Sequence, residues 1–262
     1  HRDLHSFPTR RSSDLIDFED TRILYGWDFI NDTIVSGDPE GHGTMVTSII
    51  AATPGNSYGM AGVCEYVTVV PLRILDHNGK GTTSDLISAI YMAADLGVDI
   101  INMSLGSAES NAAESAAIQY ALSKGCIVIA AAGNEGTGDK FYPASYPGVI
   151  SVASHNKSDL RSSFSSYNDM VDVSAPGEAV VVMDADGSFA SGNGTSFAAP
   201  YVSGIAVLAK ALDPALTPDE FLGAIAETSR DLGLYGKDVS FGYGAIDADD
   251  LLEYVTEGNI ID

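Results

Sequence analysis

The chain has 262 residues, 45% of them hydrophobic, enough for one large buried core. Its 13 Lys and Arg against 36 Asp and Glu leave a net charge of −23. That balance makes a self-repelling surface and excludes a basic stripe for a nucleic-acid backbone, so no nucleic-acid partner is expected.

In chain order, residues 1–15, HRDLHSFPTRRSSDL, come first. They carry three arginines, two of the five histidines and no apolar periodicity, and they read as non-native material. Residues 16–262 read as one domain without linker or repeat, incomplete at its N-terminus. HGTMVTSIIAA (42–52) predicts a helix and VTVVPLRIL (67–75) a strand. SDLISAIYMAADLG (84–97) predicts a helix with Ser84 as its cap and Gly97 as its stop. VDIINMSLG (98–106) is a predicted strand, NAAESAAIQYALSKG (111–125) a helix, and CIVIAAAG (126–133) and GVISVAS (148–154) are strands. A helix carrying Ser196 follows, and TPDEFLGAIAET (217–228) reads as the last helix, capped by Thr217 with Pro218 at its first position. No apolar run approaches 18 residues, so no membrane span is expected. Cys64 and Cys126 are too few for a disulfide framework or zinc site and border apolar runs, as buried thiols do. Apolar strands alternating with helices predict an α/β fold, three layers α/β/α around a mostly parallel sheet. Reactive groups in such sheets gather beyond the carboxyl ends of the strands.

Three short motifs carry chemistry. In SGNGTSFAAPYVSGIAVLAKAL (191–212), Ser196 falls in the first turn of a helix, where free N–H groups and the positive dipole end suit an oxyanion. Pro200 lies early enough for its missing N–H to cost little. A plain N-cap serine is the competing role. In GHGTMV, two glycines flank His42 at a helix start, a place from which an imidazole can face outward. In AAAGNEGTG, Asn134 follows a buried strand, where its amide either donates to an oxyanion or makes a turn.

GHGTMV, AAAGNEG and GTSFAAP, in that order, resemble the subtilisin-like (subtilase) serine peptidases, as do GWDF (26–29), INMSLG (101–106), VDVSAPG (171–177) and FGYGAIDA (241–248). The resemblance implies His42 as general base, Ser196 as nucleophile and Asn134 as oxyanion donor. It implies that Ser104, Leu105 and Gly106 pair with an extended polypeptide substrate, and that Ala131, Ala132 and Gly133 line the pocket for the side chain before the cleaved bond. The family's order is Asp, His, Ser, its Asp ending a strand that reads roughly V-A-V-I-D-[ST]-G. No such stretch occurs here; Asp3, Asp14, Asp17 and Asp20 lack the glycine two residues on, and Asp28 in GWDF matches a non-catalytic position. The catalytic Asp and its strand are therefore expected to be absent, and this chain to be inactive or nearly so. The competing class is a non-catalytic peptide-binding module on the same scaffold.

The resemblance further implies a secreted or cell-surface enzyme made with a propeptide, needing no cofactor for its chemistry. ATPGNSYGMAGV (52–63) resembles a family loop that binds structural calcium through carbonyl oxygens and one Asn, here Asn56. HNGKGTTSD (77–85) reads as a turn, because Gly81 stands where a phosphate loop needs Ser or Thr. No G-x-S-x-G elbow occurs, which excludes the α/β-hydrolase reading.

Overall fold

The apolar run CIVIAAAG becomes a strand, β7 (Ile127–Ala131), buried at all five positions. Burial on both faces requires cover on both, which only a sheet between layers provides. The computed structural model describes residues 15–18, 21–35 and 37–258. They form two compact units, one of residues up to Ala89 with Val181–Ala190, the other of Ile90–Val180 with the chain from Ser191. Residues 1–14, including His1, His5, Asp3 and Asp14, lie outside the described residues, as does Asp20.

The first unit holds a 3-10 turn (Ile16–Phe18), β1 (Arg22–Ile23), β2 (Trp27–Asp28), β3 (Thr33–Ile34), α1 (His42–Ala51), β4 (Thr68–Val69) and β5 (Leu72–Arg73). The single strand expected over 67–75 is two short ones. Pro71 offers no N–H to a ladder, so the chain changes partners there: β4 pairs with β1, and β5 with β2. Asp28 is 3% exposed and meets Arg73 Nη1 at 2.7 Å. Burial alone would raise its carboxyl, but hydrogen bonds from Asn31 and the Arg73 charge hold it below the ordinary range. The tip of the hairpin formed by β10 (Val180–Met183) and β11 (Phe189–Gly192) also belongs here. Met183 packs with Leu15 and Phe18, and its N–H donates to Ser48 Oγ at 3.1 Å.

Helix α2 (Thr83–Leu96) runs from the first unit into the second. Its cap is Thr82 rather than the expected Ser84: Thr82 Oγ1 accepts from Asp85 N–H (3.1 Å) and donates to Asp85 Oδ2 (2.7 Å). Three successive hydroxyl residues, Thr82, Thr83 and Ser84, compete for the role, and the one three residues before the Asp85 carboxylate wins it. Before it, the 77–85 stretch makes a turn in which Asp76 Oδ1 accepts from Asn78 and Lys80 N–H.

The second unit is built on a parallel sheet, β6 (Ile100–Met103), β7, β8 (Ile150–His155) and β9 (Val171–Pro176), in that spatial order. Helix α4 (Thr195–Leu212) packs on all four strands, while α3 (Ala112–Ser123) and α5 (Pro218–Thr228) both pack on β7. The fold is α/β with helices on a parallel sheet, as the alternation of elements predicts; the strands before residue 74 form small separate sheets. Thr217 and Glu220 make the expected reciprocal cap of α5. One helix was not expected, α6 (Ala248–Thr256), capped by Asp247 and packed on α4 and α5. Its nine residues bury only Leu251 and Val255, too short a pattern to show a period. Both cysteines are buried, and neither forms a disulfide among the described residues.

Helix α4 also corrects the reading of apolar runs. It spans 18 residues at mean hydropathy 1.3, long and apolar enough to cross a membrane, yet 61% of it is buried inside the protein. Its small residues and its place across four strands make it the core helix of the unit.

Glu114, in the first turn of α3, is 4% exposed, and its Oε1 has no hydrogen-bond partner among the described residues. The helix start favours its charge, but burial dominates and pushes the carboxyl up. The folded chain therefore binds this proton more tightly than the unfolded chain. Stability falls as pH rises through the ordinary glutamate range, and the full penalty holds above the raised value. Glu114→Leu is expected to stabilise the protein by about 1–2 kcal/mol at pH 7, with the gain shrinking near pH 4. Urea melts at the two pH values check this; an equal gain at both would reject it.

Candidate active site

The second unit assembles most of the predicted site at the start of α4. Gly194 precedes the helix, and the first-turn N–H groups lack intrahelical partners. Thr195, fully buried, is the organiser. Its N–H (2.8 Å) and its hydroxyl (2.9 Å) both donate to Asn134 Oδ1, and the same hydroxyl accepts from Gly133 N–H at 3.2 Å. Two donors on one oxygen fix which way the amide lies. Asn134 Nδ2 is thereby turned outward, exposed and without an acceptor among the described residues. Ser196 is half-buried; its hydroxyl donates to the Ser104 carbonyl at 3.2 Å. Its own N–H is unpaired among the described residues, so this helix start presents two free donors, one amide and one backbone.

The strand expected over 98–106 ends earlier. β6 stops at Met103, and Leu105 and Gly106 make no backbone hydrogen bonds among the described residues. An unpaired extended segment of this kind is an edge to which another strand can add. Ser107 and Tyr142 close it on one side by exchanging N–H···O bonds of 2.8 Å. Ala131 and Ala132 are 2% and 1% exposed. Ala132 packs with Ala153 and Val171, so its side chain belongs to the core. Gly133 has φ of 107°, and a side chain there would lie 2.9 Å from the Phe141 ring.

His42 and Asn56 lie in the first unit. His42 opens α1 and is half-buried; its N–H donates to Glu40 Oε2 at 2.9 Å. Gly41 before it has φ of 91°, and a Cβ there would meet Asp184 Oδ1 at 2.5 Å. The helix start is capped by Asp38, whose carboxylate accepts from Gly41 N–H, Thr44 N–H and Thr44 Oγ1. His155 is a structural histidine: 7% exposed, with Nδ1 3.1 Å from Ser174 Oγ, its pKa pushed down by burial.

Asn56 donates through Nδ2 to Asp17 Oδ1 (3.0 Å) and accepts through Oδ1 from Tyr58 N–H (2.9 Å). Asp17 is fully buried, and its other oxygen accepts from Met60 N–H at 3.0 Å. Among the described residues no three His, Cys, Asp or Glu side chains converge as metal ligands. The Asp17 carboxylate and the Asn56 amide are nonetheless the hard oxygen chemistry that suits calcium.

The sequence profile of the Subtilase family matches residues 15–244. The chain belongs to the subtilase family. This subtilase is 40% identical over 187 residues to thermitase of Thermoactinomyces vulgaris, covering 71% of the chain and 67% of thermitase. It is 37% identical over 235 residues to a thermophilic serine proteinase of Bacillus sp. (strain AK1), covering 90% of the chain and 58% of that protein. It is 34% identical over 229 residues to the minor extracellular protease Epr of Bacillus subtilis (strain 168), covering 87% of the chain and 35% of Epr. The chain thus spans between 35% and 67% of the length of these relatives. Among solved structures, a cold-adapted subtilisin-like serine proteinase superposes with a TM-score of 0.79 at 32% identity, over 91% of the subtilase and 84% of that chain. A lanthipeptide protease shares the fold, with a TM-score of 0.81 at 24% identity, over 94% of the subtilase and 85% of that chain.

Sequence reasoning missed Thr195. Its signal was available: a hydroxyl residue immediately before the candidate nucleophile, in a helix start that needs donors and acceptors held in place.

Proposed function

We propose that this subtilase is a serine endopeptidase acting on polypeptides. The observation that carries the reading is the amide of Asn134, locked by Thr195 so that Nδ2 is free beside the open helix start of Ser196. In this reading the Ser196 hydroxyl leaves the Ser104 carbonyl, gives its proton to His42 and attacks the substrate carbonyl carbon. The oxyanion accepts hydrogen bonds from Asn134 Nδ2 and Ser196 N–H, both in position before charge develops. The His42 imidazolium then returns the proton to the departing amine, and water releases the acyl group by the same steps in reverse. Residues 104–106 supply the edge for substrate backbone, and Ala131, Gly133 and the backbone of Ala132, whose side chain packs in the core, border the pocket for its side chain. The test is incubation with an unfolded protein: peptides are released, and prior treatment with a fluorophosphonate stops their release. A chain that neither cleaves nor labels, even when joined to a strand carrying D-[ST]-G, would favour the non-catalytic module.

The triad carboxylate has no candidate in the sequence pattern, and two aspartates that precede His42 in the chain are otherwise engaged: Asp17 holds Asn56 and Met60, and Asp28 holds Arg73. We therefore propose that the 262-residue chain works slowly. Secretion is supported by the acidic surface and by a relative named as extracellular; a propeptide is proposed on family resemblance alone.

Structural calcium is proposed at Asp17 and Asn56. A fully buried carboxylate with only neutral donors among the described residues is costly, and a cation offsets that cost. Calcium is expected to raise Tm, chelator to lower it, and Asn56→Ala to erase the difference. A Tm indifferent to calcium in the parent chain would reject the site.

A further inference from the structure

We propose that the Ser104 side chain is a positioning group for Ser196, made necessary by Pro200. The proposal rests on Ser196 being the nucleophile. In a regular helix the Ser196 carbonyl accepts from the N–H of residue 200, but that residue is proline and has none. Pro200 is the sixth residue of α4, beyond the first turn, so the missing N–H is one the helix needs; this corrects the expectation that its position makes the loss cheap.

The bond is supplied from the sheet. Ser104 Oγ donates to the Ser196 carbonyl at 2.8 Å. That hydroxyl is itself oriented: Asn102 Nδ2 donates to it at 3.0 Å, and Asn102 Oδ1 accepts from Ser203 Oγ at 2.8 Å. The relay leaves α4 at Ser203, crosses two residues of the β6 segment and returns to α4 at Ser196. Ser104 is 8% and Ser203 1% exposed, so water does not compete for these groups. The Ser104 carbonyl meanwhile accepts the Ser196 hydroxyl. One residue therefore holds both the backbone and the side chain of Ser196, while Asn134 holds Thr195 beside it. The first turn is pinned on two sides by hydrogen bonds that do not belong to the helix.

Pro200 makes this arrangement useful. An N–H at position 200 would draw the Ser196 carbonyl into the helical ladder; without it, the sheet sets where the residue sits. The same β6 segment continues into the unpaired backbone of Leu105 and Gly106. Nucleophile and substrate edge are thereby referenced to one piece of chain.

The test compares the parent chain, Ser104→Ala, and Ser104→Ala combined with Pro200→Ala. The rate constant of fluorophosphonate labelling is read separately from its amplitude, and hydrogen exchange is followed by mass spectrometry over residues 195–204. Ser104→Ala is expected to exchange faster and to label about five- to tenfold more slowly, the rate equivalent of one hydrogen bond, at unchanged amplitude. In the double variant the new N–H at position 200 takes the Ser196 carbonyl, and exchange protection returns. Unchanged exchange in Ser104→Ala would overturn the proposal, as would lost amplitude at an unchanged rate constant, which marks a role in folding only. If exchange responds as expected but the parent does not label, the hold on Ser196 stands and the peptidase reading fails.

Discussion

Ser196→Ala is expected to abolish fluorophosphonate labelling and peptide release together, while leaving the unfolding free energy within about 0.5 kcal/mol of the parent. Ser196 is half-buried, and among the described residues its hydroxyl makes one bond, to the Ser104 carbonyl, so its removal strips no core. His42→Ala should cost nearly as much. In subtilisin, a member of the same family and the source of these figures, loss of serine or histidine alone costs about 2 × 10⁶ in kcat, and loss of the aspartate about 3 × 10⁴. On the proposal that this chain lacks that aspartate, the parent is expected to label slowly. Joining it to a strand carrying D-[ST]-G should raise the labelling rate toward the full factor. Labelling that persists in Ser196→Ala would sink the assignment of the nucleophile.

Asn134→Ala should lower kcat by about 10²–10³ with little change in KM, a magnitude known from subtilisin's own oxyanion donor and carried over to this relative. The split is the informative part, since an oxyanion exists only after attack. Thr195→Val gives a second handle. It removes a 2.9 Å bond to Asn134 Oδ1 and a 3.2 Å bond from Gly133 N–H, but leaves the Thr195 N–H on Asn134. The expected loss in kcat is smaller than for Asn134→Ala, with stability down by about 1–3 kcal/mol because Gly133 N–H is left unpaired. A Thr195→Val enzyme as fast as the parent would show that the amide needs no such clamp.

Much of this protein was legible because its signals are local. The apolar runs of β7 and β8, the glycine after α2 and the Thr217–Glu220 box each sit within a few residues of what they determine. Candidate residues were legible for a different reason: three motifs in a fixed order resembled a family, and the Subtilase profile matches the same stretch. What was not legible depends on partners far away in the chain. Pro200 looked harmless because the hydroxyl that compensates it lies 92 residues upstream of Ser196, at Ser104. Thr195 carries no assigned role in the sequence because its acceptor is 61 residues away. Pro71 was read through as part of one strand, since only the pairing of β4 with β1 and of β5 with β2 reveals the break.

The parallel order of β6 to β9 carries a consequence for how the molecule comes into being. Parallel neighbours cannot be joined by a tight turn, so every pairing waits on a long excursion of chain, and such topologies fold slowly. Ser104, Asn134 and Ser196 reach one another only when those excursions have closed. If the proposed peptidase activity holds, a newly made copy therefore stays harmless to its half-finished siblings until its own last crossovers are complete.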